Sequence, residues 1–228
     1  RNVAIGQDAL GGLNYAGNGY NVAIGHNAGI AVTTGTNNTI IGGLAGDAIT
    51  TATNNVAIGY AALSSEVAGP DNVAIGYFAM GNTDNARANV AIGYAALQNL
   101  DYDSLTYSHN IGIGFNAGND ITTGVNNVII GGSAGDALTT GTRNVAIGLN
   151  ALGTEDTGSH NVAIGYHALA VADAGADAYN VAIGSSAGAA VTTGKHNTLI
   201  GSLAGDALTT SQYNVAIGYG ALTAEDSY

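Results

Sequence analysis

Apolar and polar residues follow a short cycle that returns thirteen times along the chain: Asn, an apolar residue or Thr, a small or apolar residue, Ile, Gly, two variable residues and Ala. The cycles open at Asn2, Asn21, Asn38, Asn55, Asn72, Asn89, Asn110, Asn127, Asn144, Asn161, Asn180, Asn197 and Asn214. Nine of the twelve spacings are 17 residues, two are 19 and one is 21. The first and third positions after each Asn, such as Val22 with Ile24, share one side of an extended segment. A short strand is therefore predicted in every cycle. Its β-branched Val/Ile column is expected to face the interior, and the second position, Ala in nine cycles, to face outward against another surface. A period near twenty marks a solenoid, in which no unit buries its apolar side chains without its neighbours. The expected fold is all-β: a parallel β-solenoid of about 13 coils, roughly 60 Å long at ~4.8 Å per coil.

Gly closes each predicted strand, from Gly6 to Gly218, where the chain must turn through positive φ or pass close to another backbone. Four residues on, the cycles divide into two kinds. One carries Leu or Met (Leu10, Leu63, Met80, Leu97, Leu152, Leu169, Leu222); the other carries Gly (Gly29, Gly46, Gly118, Gly135, Gly188, Gly205) followed by a Thr pair such as Thr33-Thr34. A second strand is expected to end at those threonines. Pairs of Gly-type cycles begin at Asn21, Asn110 and Asn180 and alternate with Leu-type cycles, so a larger block recurs about three times. The longer spacers, including 98–109, read as loops that leave the stack unbroken. The recurring Asn reads as a structural ladder, its amide bonding its own turn and the Asn above and below.

Composition narrows the architecture further. The chain has 36 Gly, one Pro, no Trp, two Phe and one Met, so its core is aliphatic and narrow. The repeat runs through without a boundary, which places one domain over residues 1–228, expected to be a segment of a longer fibrous protein. Sixteen acidic residues against four basic ones give a net charge of −12 and disfavour nucleic acid and anionic membranes. No apolar run is long enough for a membrane-spanning helix. Without Cys there is neither a disulfide framework nor a thiolate metal site.

The run Asn-Val-Ala-Ile-Gly, intact at Asn2, Asn21, Asn55, Asn72, Asn89, Asn144, Asn161, Asn180 and Asn214, is similar to the head repeat of YadA-type trimeric autotransporter adhesins. The Asn-x-x-Ile-Gly-x-x-Ala-Gly cycles with Thr-Thr-Gly spacers also resemble repeats of phage tail fibres and other long surface proteins. The resemblance covers essentially the whole chain. It implies a left-handed parallel β-roll, trimeric, with its small apolar face buried between protomers, on a cell or virion surface. The adhesin head repeat is shorter than 17 residues, so a two-chain or other packing of that face stays open.

Candidate chemistry is sparse. His26, His109, His160, His167 and His196 follow no metal-ligand spacing, and no acid, base and nucleophile recur together, so no enzyme and no cofactor are expected. Asp47, Asp136 and Asp206 share one context and lie coils apart; only symmetry copies of one of them could hold Ca²⁺, and turn residues are the plainer reading. Glu66, Glu155, Glu225 and Asp156 are assigned to spacers. Tyr60, Tyr77, Tyr94, Tyr166 and Tyr219, with Phe115, follow the turn Gly and predict an aromatic stripe that could grip a sugar or a protein. The leading expectation is a structural or adhesive extracellular fibre segment, an adhesin head or tail-fibre shaft, with a surface glycan or protein receptor as a candidate partner. The alternative is a filament subunit stacking head to tail, followed by a glycan-binding or ice-binding module.

Overall fold

The computed structural model describes residues 1–14, 17–175 and 177–223, so Glu225 lies outside the described residues. Among them the chain is all-β without a helix, its parallel strands stacked as a β-solenoid of about 12 turns. The chain divides into two compact units, Arg1–Phe115 and Asn116–Tyr228. The first unit holds β1 (Val3–Ile5), β2 (Val22–Ile24), β3 (Thr39–Ile41), β4 (Val56–Ile58), β5 (Val73–Ile75), β6 (Asp84–Arg87), β7 (Val90–Ile92), β8 (Asp101–Tyr107) and β9 (Ile111–Ile113). The second holds β10 (Val128–Ile130), β11 (Val145–Ile147), β12 (Val162–Ile164), β13 (Val181–Ile183), β14 (Thr198–Ile200) and β15 (Val215–Ile217).

Within each unit the repeat strands pair in parallel and in register, Val56 with Val73 and Ile58 with Ile75 for example. The 21-residue spacing leaves that register intact, since Val90 still pairs with Ile111 and Ile92 with Ile113. Its extra residues are more than a loop: they form β8, which pairs with β6 in a second small parallel sheet containing a bulge. The Thr pairs end no second strand. They lie in turns whose backbone still bonds to the next coil, as Thr33 N–H donates to the Thr50 carbonyl at 2.9 Å.

The interior is the reverse of the sequence expectation. In the inner strands the middle residue is fully buried, Ala23, Ile40, Ala57, Ala146 and Leu199 among them, while the flanking Val and Ile are mostly half-exposed. The core is closed by a fully buried Ala column after the turn (Ala28, Ala62, Ala151) and by two further columns, Leu63 or Gly46 and Ile49 or Leu100 marking their positions. A three-residue strand presents two side chains to one face and one to the other. The narrow coil has room for the single one.

The two kinds of cycle follow from filling that space. Ile40 lies across the core from Gly46, whose missing Cβ would stand 3.4 Å from Ile40 Cδ1 and 2.8 Å from Ile49 Cδ1. Ile40 also reaches the neighbouring coil, with Cδ1 2.8 Å from a Cβ built at Gly29. Leu63, opposite Ala57, inverts the arrangement. A large residue on one wall requires a small one on the other, because interiors pack near crystal density.

Asn closes each coil. Asn72 N–H donates to Asn55 Oδ1 at 2.8 Å, and Asn72 Nδ2 donates to the Ala86 carbonyl at 2.8 Å, where the same coil ends. The pattern recurs at Asn144, whose Nδ2 meets the Gly158 carbonyl at 2.8 Å and whose Oδ1 accepts the Asn161 N–H at 2.9 Å. From Asn38 to Asn197 every repeat Asn is fully buried. The turn glycines also form a column: Gly131, at φ +135, would carry a Cβ 2.5 Å from the Gly148 carbonyl oxygen, so no side chain fits.

Two variants test this packing. Gly46→Leu alone is expected to destabilise by about 1–3 kcal/mol through overpacking. Adding Ile40→Ala should restore part of the loss, because it vacates the space 3.4 Å from the new Cβ while Ile49 Cδ1, at 2.8 Å, stays in place; chemical denaturation of both would show it. Asn72→Asp replaces the donor facing the Ala86 carbonyl with an acceptor, and a loss of about 3 kcal/mol or more is expected in the same assay.

Candidate functional site

The turn Gly sends the next side chain outward, and successive coils bring those side chains into register. Tyr60, Tyr77, Tyr94 and Phe115 stand as one stack with centroid separations of 5.4, 5.2 and 5.1 Å and interplanar angles of 16°, 4° and 15°. Phe78 leans on Tyr77 at 4.9 Å and 50°. The rings are about half-exposed, 48% for Tyr60 and 57% for Phe115. Their inner faces cover one another, so a sugar ring could stack only at the two ends, and the sides of the column offer ring edges and phenol hydroxyls. Tyr166 belongs instead to a pair with His167, at 4.1 Å. Tyr219 stands 81% exposed in the last described coil.

A second aromatic column escaped the sequence analysis. His160, Tyr179, His196 and Tyr213 each directly precede a repeat Asn, and their rings stack at 4.6, 5.4 and 4.9 Å with angles of 12°, 8° and 4°. Arg143 extends the column, its Nη1 3.4 Å from His160 Nε2, and Asp177 lies 3.5 Å from His160 Nδ1. All five ladder residues hold positive φ, between 52° and 64°. The signal was the residue before each Asn, which also includes Tyr20 and His109.

The acidic candidates separate by burial. Asp47 and Asp206 each have a buried Oδ1 with no hydrogen-bond partner, whereas Asp136 is bonded by Ser133, and burial pushes the Asp47 and Asp136 carboxyls above the usual range. No group of three or more His, Cys, Asp or Glu side chains that could hold a metal ion occurs among the described residues. A cavity of about 330 Å³ in the second unit is lined by Asp136, Asn150, Gly153, Thr154 and His167 among others, with Asn150 Nδ2 3.1 Å from His167 Nε2. In the first unit Phe78 takes the place of His167, 89 residues earlier in the recurring block.

Glu66 and Glu155, assigned to spacers from sequence, are core residues with no exposed surface. They stand eleven positions after Asn55 and Asn144, where other coils put Val32, Ile49 or Leu138. Backbone amides receive them: Glu66 Oε1 accepts from Gly69 at 2.5 Å and Ala68 at 3.2 Å, and Oε2 accepts from Ala86 at 3.1 Å. Glu155 accepts from Gly158 at 2.8 Å and Ala174 at 3.2 Å. Burial raises both carboxyls above the ordinary Glu value; the amide bonds oppose it, while Asp84 for Glu66 and Asp173 with Asp156 for Glu155 add to it. This arrangement suits a structural acid and offers no substrate access.

Comparison with known protein families, curated proteins and solved structures gives no match.

A raised folded-state carboxyl binds its proton more tightly than the unfolded chain does. Its stabilisation is therefore complete below the unfolded value of 4.5 and is lost as pH rises through the folded value. The urea midpoint should be higher at pH 5 than at pH 7, and the difference should shrink in Glu66→Gln/Glu155→Gln. A midpoint that falls on acidification would contradict the assignment.

Proposed function

We propose that this chain is a structural segment of an extracellular fibre, an adhesin head or tail-fibre shaft, that carries its outward columns on a scaffold of stacked coils. The observation behind this reading is the buried Asn column, which makes each coil depend on its neighbour and serves no evident ligand. Solenoid stacking of this kind adds extent by adding coils, and the sequence recurs in blocks that differ chiefly in coil number. The described residues include no cluster that combines an acid, a base and a nucleophile in a cleft, so a mechanical role accounts for more of the residue pattern than a chemical one. The negative charge of the chain disfavours indiscriminate clumping.

The proposed partner is another copy of the chain, as a trimer on the strength of the adhesin-like repeat. It docks on the outward Val/Ile columns, such as Val56, Ile58, Val73 and Ile75, and not on the Ala column, which is internal. Within each unit this sheet face has aliphatic or Thr side chains at every outward strand position and no charge. An uncharged face of that kind is the usual sign of a covered surface.

Light scattering should give a particle mass of several chains, and electron microscopy should show discrete particles; endless fibres would favour end-to-end filament assembly instead. Val145→Lys/Ile147→Lys is expected to yield folded monomers. Ala146→Leu, on the buried side of the same strand, is expected to destabilise by about 1–3 kcal/mol. A wild-type chain that is already monomeric would remove the partner from this proposal.

A further inference from the structure

We propose that the Tyr60, Tyr77 and Tyr94 column is a site of oxidative tyrosine coupling, in which a one-electron oxidant of the peroxidase class joins neighbouring coils through a carbon–carbon bond. The inference rests on the ladder geometry alone and stands whether or not the chain is part of a fibre. Coupling requires two phenols that are both accessible to an oxidant and already adjacent. Tyr77 and Tyr94 meet both conditions, 47% and 49% exposed with centroids 5.2 Å apart and planes within 4°. Tyr60 and Tyr77 repeat the arrangement at 5.4 Å. Parallel pairing of β4, β5 and β7 holds the three residues in consecutive coils, so the partner ring is supplied in advance and reaction need not await diffusion.

The balance is simple. Each phenol loses one electron and its hydroxyl proton, the proton passing to solvent, and two phenoxyl radicals result. They join through ring carbons ortho to oxygen, and the hydrogens on those carbons return to the oxygens by tautomerisation. The pair has lost two electrons and two protons in all, and one hydrogen peroxide consumed by the peroxidase accepts them to give two waters. Phe115 ends the column as a ring that cannot form a phenoxyl radical.

The second column provides an internal contrast. Tyr179 and Tyr213 belong to the same kind of stack, yet the His196 ring stands between them at 5.4 and 4.9 Å. Tyr213 is 74% exposed, more open than any phenol of the first column. If exposure alone governed coupling, Tyr213 would dominate. If adjacency governs it, Tyr77 will.

The test oxidises the dilute purified chain with peroxidase and hydrogen peroxide. It then reads dityrosine emission from the single-chain band of a denaturing gel, with linked peptides mapped by mass spectrometry. The expected product joins Tyr77 to Tyr60 or to Tyr94, its mass lowered by two hydrogen atoms. Tyr77→Phe, which keeps a ring in the stack, should reduce the single-chain emission to the unoxidised level, and so should Tyr60→Phe/Tyr94→Phe, which leaves Tyr77 in place. Tyr94→Phe alone should retain the Tyr60–Tyr77 product. The proposal is overturned by undiminished emission in Tyr77→Phe, by links found mainly at Tyr179, Tyr213 or Tyr219, or by no coupling under conditions that couple free tyrosine.

Discussion

A buried asparagine governs this fold because one short side chain meets three backbone demands at once. Its carbonyl oxygen receives the amide of the next Asn, its Nδ2 group secures the carbonyl at the end of its own coil, and its backbone begins the strand. Such a group is worth little where water competes for it. Inside a coil from which water is excluded, an unpaired amide or carbonyl carries its full desolvation penalty. Gln would overreach and Asp would bring an acceptor to an acceptor, so the residue recurs unchanged while its surroundings vary.

With the corner fixed, the remaining freedom lies in filling a narrow interior. The strand contributes a single inward side chain per coil, and the opposite wall complements it in volume. Gly46 faces Ile40, and Leu63 faces Ala57. The exchange also crosses coils, as when Ile40 reaches beneath Gly29. Each coil is therefore matched to its neighbours as well as to itself, which is a reason for Gly-type cycles to occur in pairs. Glu66 and Glu155 break the aliphatic column at one position of the block and are tolerated because backbone amides surround their oxygens.

The surface inherits the same periodicity. Any outward offset occupied by a ring in consecutive coils becomes a stack, and the chain uses two offsets, one after the turn Gly and one before the Asn. The first is mainly phenol; the second alternates phenol with imidazole and begins at a guanidinium. They share a scaffold and differ in chemistry, since adjacent phenols share reactions that phenols separated by imidazole do not.

The thirteenfold recurrence of Asn, Ile and Gly was enough to establish a parallel solenoid, its turn positions and the stacking of Tyr60, Tyr77 and Tyr94, because identical offsets in stacked coils must coincide in space. The same periodicity could not say which strand face lies inside. Alternation distinguishes two faces without naming them, and here both are apolar; the decision came from the width of the coil, which admits one Ala, Ile or Leu and leaves Val and Ile outside. Nor could spacing reveal that Glu66 and Glu155 are core residues, because a buried carboxylate is possible only where folded backbone amides converge on it, and that convergence exists only once the coil has closed.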